Sequence, residues 1–193
     1  MRHTWWHPRQ ACLVGLLVSL HSNGAHAALP TEQPYRYVAV MVGECERLIL
    51  AGRDQTAGCS DKLVNVDFGD GRVAFVFTSQ SESGPVMTTF LGRASVQKDL
   101  RSYRLEVDEI STTTIDAAGS PANVVESAAG HCMMIGDPTQ ERARFECTAE
   151  RSSGATAATF LSAGAPTIYA RARGDDGAPE AVSVNPRVLF ALA

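Results

Sequence analysis

The chain has 193 residues, of which 45% are hydrophobic, 7% aromatic and 20% charged, with a formal charge of −4. That length fits one domain or two small lobes, with a core that does not depend on crosslinks alone. An acidic balance with only two lysines, Lys62 and Lys98, argues against nucleic acid or anionic membranes as partners.

Residues 1–27 read as a secretory signal peptide. Arg2 and Arg9 charge its start, residues 11–20 form an apolar run, and Ala25-His26-Ala27 offers an A-x-A cleavage site. The run is half the roughly 20 residues that a spanning helix needs. Cys12 opens the run rather than marking a cleavage point, which disfavours a lipid anchor. The segment carries Trp5, Trp6 and four of the five histidines. The expected mature domain, residues 28–193, keeps four cysteines, one histidine and no tryptophan. Loss of Arg2 and Arg9 leaves 15 basic against 21 acidic residues, a formal charge of −6. The expectation is a periplasmic or secreted protein in an oxidising compartment, with no integral membrane segment after cleavage.

Most apolar stretches are short, rich in Val, Phe, Tyr and Thr, and alternate with period two, the signature of half-buried strands. In chain order, strands are expected at 36–42, 63–68, 73–79, 86–91, 102–109, 131–136, 142–149, 157–162 and 167–173. Asp70-Gly71 signals a two-residue hairpin turn. With that loop, Phe68 opposes Val73, Val66 opposes Phe75 and Val64 opposes Phe77, all on one apolar face, with Asn65, Asp67 and Arg72 pointing away. Tyr103, Leu105 and Val107 share a face, with Arg104, Glu106 and Asp108 opposite. Residues 120–129 are the best helical candidate, of one or two turns. The segments 79–85, 117–122 and 174–179 are turn-rich linkers, and Asn185-Pro186 suggests an extended tail. A faint echo relates Cys45, Cys59 and 71–79 to Cys132, Cys147 and 154–162, which allows two similar lobes at about 36–116 and 128–175.

Four cysteines permit three pairings. If 137–142 form a hairpin loop, Gly136 opposes Ala143, Met134 opposes Phe145, and Cys132 falls directly opposite Cys147. Facing residues at a non-hydrogen-bonded position stand about 4.5 Å apart, within disulfide reach. The expected bridges are therefore Cys132–Cys147 and Cys45–Cys59, the latter tying down an irregular loop. No C-x-x-C is present, and the ligand spacing of zinc sites is missing.

Catalytic constellations are sparse. His131 is the one imidazole after residue 27, points opposite to Cys132 on a strand, and has no G-x-S-x-G elbow to serve. The spacing Gly69-x-Gly71-x-x-Ala74 matches a dinucleotide fingerprint, but a strand rather than a helix follows it. The carboxylate pairs Asp67/Asp70, Asp108/Glu109 and Asp175/Asp176 read as turns or solvated faces, as does the basic group Lys98, Arg101, Arg104. No catalytic, cofactor or metal residue is nominated.

Several marks recur in a familiar order: Cys45…Cys59, Gly71-Arg72-x-x-Phe75-x-Phe77, Phe90-x-Gly92, Tyr103-x-Leu105-x-Val107-Asp108 and Gly130-x-Cys132-x-Met134…Cys147-x-Ala149. Together they resemble a group of small exported proteobacterial proteins of no assigned function. The resemblance implies fold and compartment and carries no activity. The expected fold is all-β, an antiparallel barrel or sandwich of roughly 8–10 short strands stapled by disulfides. The expected function is non-enzymatic binding of another protein or a small apolar ligand. The alternatives are an inhibitor of an extracellular hydrolase and a hydrolase using convergent carboxylates.

Overall fold

The computed structural model describes residues 34–82, 84–95, 102–116, 118–169, 172–173, 179–180 and 182–183. All belong to the compact unit Glu32–Ala193. The expected signal segment, the 174–179 linker (apart from Pro179), Asp175, Asp176, Lys98, Arg101 and Asn185-Pro186 lie outside the described residues.

Eight antiparallel strands form a closed barrel. They are β1 (Tyr37–Leu50), β2 (Cys59–Asp67), β3 (Arg72–Ser81), β4 (Gly84–Ala94), β5 (Ser102–Ile115), β6 (Pro121–Ile135), β7 (Arg144–Arg151) and β8 (Thr156–Ser162). Each pairs with the next in sequence, except that β1 sits between β2 and β8 and so closes the ring. Closure runs from Ala157 opposite Ile49 to Ser162 opposite Gly43. A short strand, β9 (Thr167–Tyr169), continues that edge of β1 by pairing with Val38–Val40. Closing the sheet removes the unpaired edges that an open one would present.

An eight-stranded barrel has an interior just wide enough for side chains to fill. Here Phe75, Phe77, Phe90, Phe145 and Phe160 fill it, with Leu48, Leu63, Leu105 and Ile110 between them, all at most 2% exposed. The rings meet edge to face: Phe77–Phe90 at 5.7 Å, Phe75–Phe145 at 5.5 Å and Phe145–Phe160 at 6.5 Å between centroids. Such pairs add about 0.5–1.5 kcal/mol each beyond area burial. On β5, Leu105 and Val107 face inward, while Arg104, Glu106 and Asp108 are exposed, as the alternation predicts.

Both expected disulfides are present. Cys132 stands directly opposite Cys147 on β6 and β7, in the expected register with Met134 opposite Phe145. Their Cα atoms are 4.0 Å apart and both side chains lie in the core. Cys45–Cys59, with Cα atoms 6.0 Å apart, ties β1 to the start of β2 across the irregular segment 51–58.

Two expectations are corrected. The β2–β3 hairpin is shifted by one residue: Asp67 opposes Val73, Asn65 opposes Phe75 and Leu63 opposes Phe77. The loop is three residues, Gly69-Asp70-Gly71, with Gly69 and Gly71 at φ 77° and 86°. The Asp67 carboxylate accepts the Gly69 amide at 2.7 Å and Asp70 accepts that of Arg72 at 2.9 Å. These local bonds favour the longer loop over the two-residue turn. A one-residue shift turns every β2 side chain over, so Leu63, Asn65 and Asp67 take the inward parity. Val64 and Val66 join a second apolar cluster on the outer face, with Val38, Val40, Ala74, Val76, Met87 and Leu91. The second correction concerns 120–129, which is strand rather than helix. Pro121 opens β6, where a strand tolerates it, and Asn123, Val124 and Val125 pair with Thr113, Thr112 and Ser111 of β5.

Candidate functional site

One end of the barrel carries a cavity of about 390 Å³. Its deeper wall is Ala39, Met41, Phe75 and Phe145, all buried; its shallower wall is Tyr37, Tyr103, Met134 and the turn residues Asp137 and Pro138. Asn65 and Pro166 complete the lining. The register explains the gathering. Tyr37, Ala39 and Met41 alternate inward on β1, Asn65 does so on β2, and Tyr103 begins the inward row of β5. The hairpin loop after β6 then brings Asp137 and Pro138 over the same end.

Polar groups are few and held in place. The Asn65 amide donates to the Ala74 carbonyl at 3.3 Å. Burial pushes the Tyr103 phenol well above its ordinary value of 10.0, with Tyr37 and Asp67 adding to the rise. The Tyr37 phenol is raised too, first by burial and then by Asp67. The Asp137 carboxyl is held below its ordinary value of 3.8 because the Thr139 hydroxyl and amide donate to it. Those bonds measure 2.6 and 2.9 Å. The cavity thus has two phenols and mostly apolar walls, and at its rim a carboxylate, Asp137, held within its own turn. That composition is typical of small-molecule sites, which run to about 300–1,000 Å³.

The sequence-nominated residues fall elsewhere. The four cysteines form bridges. His131 is half-buried on β6, facing away from the interior, opposite Glu106 and Thr148. Asp67 and Asp70 shape the β2–β3 turn, and Asp108 pairs with Arg72 at 3.2 Å. Arg104 is exposed and pairs with Glu106. Gly69 to Ala74 turn directly into β3, so the fingerprint spacing opens a strand. Among the described residues, no group of three or more His, Cys, Asp or Glu could hold a metal ion.

Near the opposite end, Glu126 accepts from Arg151 at 2.8 Å and from the Ser152 and Ser153 hydroxyls at 2.6 and 2.8 Å. Arg151 also donates to Thr156 and Thr112. The Ser152 hydroxyl is the first cause holding the Glu126 carboxyl below its ordinary value. Every acceptor there has a donor, and this satisfied network ties the start of β8 to β6.

The mouth residues were partly visible in the sequence. Tyr103 heads an alternating row, and Asp137-Pro138 marks a loop. A two-residue turn would place Asn65 outward; the three-residue loop turns it inward, opposite Phe75. A polar residue at an inward position of an otherwise apolar strand is the signal that corrected counting would have exposed. No family model matches the chain, and no curated protein or solved structure matches it.

Proposed function

We propose that the protein is an exported, non-enzymatic binding domain that holds a small apolar ligand in the mouth of its barrel. The observation that carries this reading is the cavity of about 390 Å³ lined by Met41, Phe75, Tyr103, Met134 and Phe145. Its volume suits a single ring system, and a few polar groups at its rim would orient one. The buried phenylalanines fill the centre of the barrel, so the ligand occupies the mouth and does not pass through. Two disulfides suit an oxidising compartment, and among the described residues no helix is long and apolar enough to cross a membrane.

Thermal unfolding of the oxidised protein with indole, an apolar ring bearing one polar group, tests the reading. Binding to the folded state alone raises the midpoint with ligand concentration. Ala39→Trp, which fills the cavity, should fold with a normal midpoint and lose the indole effect. An equal rise in both proteins, or none in either, would refute ligand binding at the mouth.

A second reading, docking of another protein, rests on the free edge of β6. Pairing with β7 begins at Ala128, so, among the described residues, 121–127 pair with β5 alone. Val124 and Val125 there are 57% and 52% exposed. An exposed edge of this kind accepts an added strand. Cross-linking from a photoreactive residue at position 124 to a captured protein, lost when Val125→Lys is added, would favour it.

A further inference from the structure

Among the described residues, the ionisable groups that line the mouth cavity are Tyr37, Tyr103 and Asp137, and none is Arg or Lys. Both phenols are protonated at neutral pH, as an ordinary phenol is, and burial raises them further. Asp137 is ionised there, as an ordinary carboxyl is, and two hydrogen bonds from Thr139 fix its position. Asp67 lies close enough to act electrostatically on both tyrosines. Arg36 also neighbours Tyr37, but it is exposed and outside the lining. Arg142 is turned onto the Ser162 carbonyl at 3.2 Å.

This arrangement discriminates among apolar ligands. A carboxylate-headed molecule would be desolvated at the mouth with no Arg or Lys among the described lining residues to meet it, and with Asp137 at the rim. An uncharged ring would gain apolar contact alone. A cation would gain that contact, the Asp137 charge and the aromatic surface of Phe75, Tyr103 and Tyr37, where a cation over a ring face gains about 0.5–2 kcal/mol.

We infer that the ligand of the barrel mouth is a small organic ammonium compound, with its apolar part against Met41, Phe75 and Phe145 and its charge beside Asp137. This rests on the mouth being a ligand site, and the test separates the two claims. Three probes sharing a benzyl group are titrated calorimetrically into the oxidised protein at low salt: benzyltrimethylammonium, its uncharged carbon isostere neopentylbenzene, and phenylacetate. The inference expects the cation to bind at least tenfold more tightly than either other probe. It also expects Asp137→Asn to erase most of that preference while leaving the uncharged probe unaffected. The asparagine keeps the side-chain oxygen that Thr139 contacts, so the turn is preserved. If that variant does not fold, added salt should weaken the cation but not the neutral ring in the unaltered protein. Equal or tighter binding of the neutral or anionic probe overturns the inference and leaves the mouth as a ligand site. Binding of none of the three overturns both.

Discussion

At the scale of single residues, the phenylalanines set the stability of the barrel and the tyrosines set its behaviour toward base. Phe77 lies edge to face with Phe90 at 5.7 Å, is 1% exposed, and stands away from the mouth. Phe77→Ala should therefore cost about 3–5 kcal/mol in a urea titration, while leaving ligand affinity of the folded fraction unchanged. Tyr103 predicts a pH effect of definite sign. Its folded-state pKa lies above the ordinary value of 10.0, so the folded protein holds that proton more tightly than the unfolded chain. This contribution is complete below pH 10 and is lost as pH rises toward the folded-state value. Tyr103→Phe should consequently lose less stability between pH 9 and 11 than the unaltered protein, as followed by thermal unfolding. An identical alkaline loss in both would show that Tyr103 is not shielded as described.

At the scale of elements, turns and crosslinks fix which side chains face inward. Gly71 has φ 86°, and a Cβ added there would meet nothing within 4 Å. Gly71→Val therefore isolates the backbone cost, about 1–3 kcal/mol, measurable as a lower unfolding midpoint with an unchanged urea slope. The Cys132–Cys147 bridge closes a 15-residue separation. Replacing both cysteines with alanine should cost about 3 kcal/mol, without loss of the barrel, because Phe145 and Phe160 still fill it. The same elements show what the sequence could and could not convey. The β6–β7 register was legible because Cys132, Met134 and Gly136 find partners at one loop length only. The β2–β3 register was not, because Val64 and Val66 belong to an apolar cluster on the outer face. With apolar residues on both sides of β2, alternation no longer distinguishes the two registers, and only the loop length decides. Residues 121–127 carry a weak strand pattern for a different reason: among the described residues they pair with β5 alone.

At the scale of the whole molecule, ring closure between β1 and β8 fills the centre with aromatic rings and leaves the mouth underfilled. An all-β barrel or sandwich was legible from strand number and alternation, but the choice between them was not, because the β1–β8 pairing that closes the ring joins residues more than 100 apart. The mouth was not, because its lining comes from β1, β2, β3, β5, β6 and β7 together with two loop segments, and no local spacing records that convergence. The methionines provide a direct probe of it. Met41 and Met134 line the cavity, whereas Met87 lies in the outer apolar cluster. Methyl resonances of a protein labelled at methionine should be recorded as indole or benzyltrimethylammonium is added. Saturable shifts at Met41 and Met134, with Met87 unmoved, are the predicted result. Shifts at Met87 alone, or at none of the three, would contradict a ligand site in the barrel mouth.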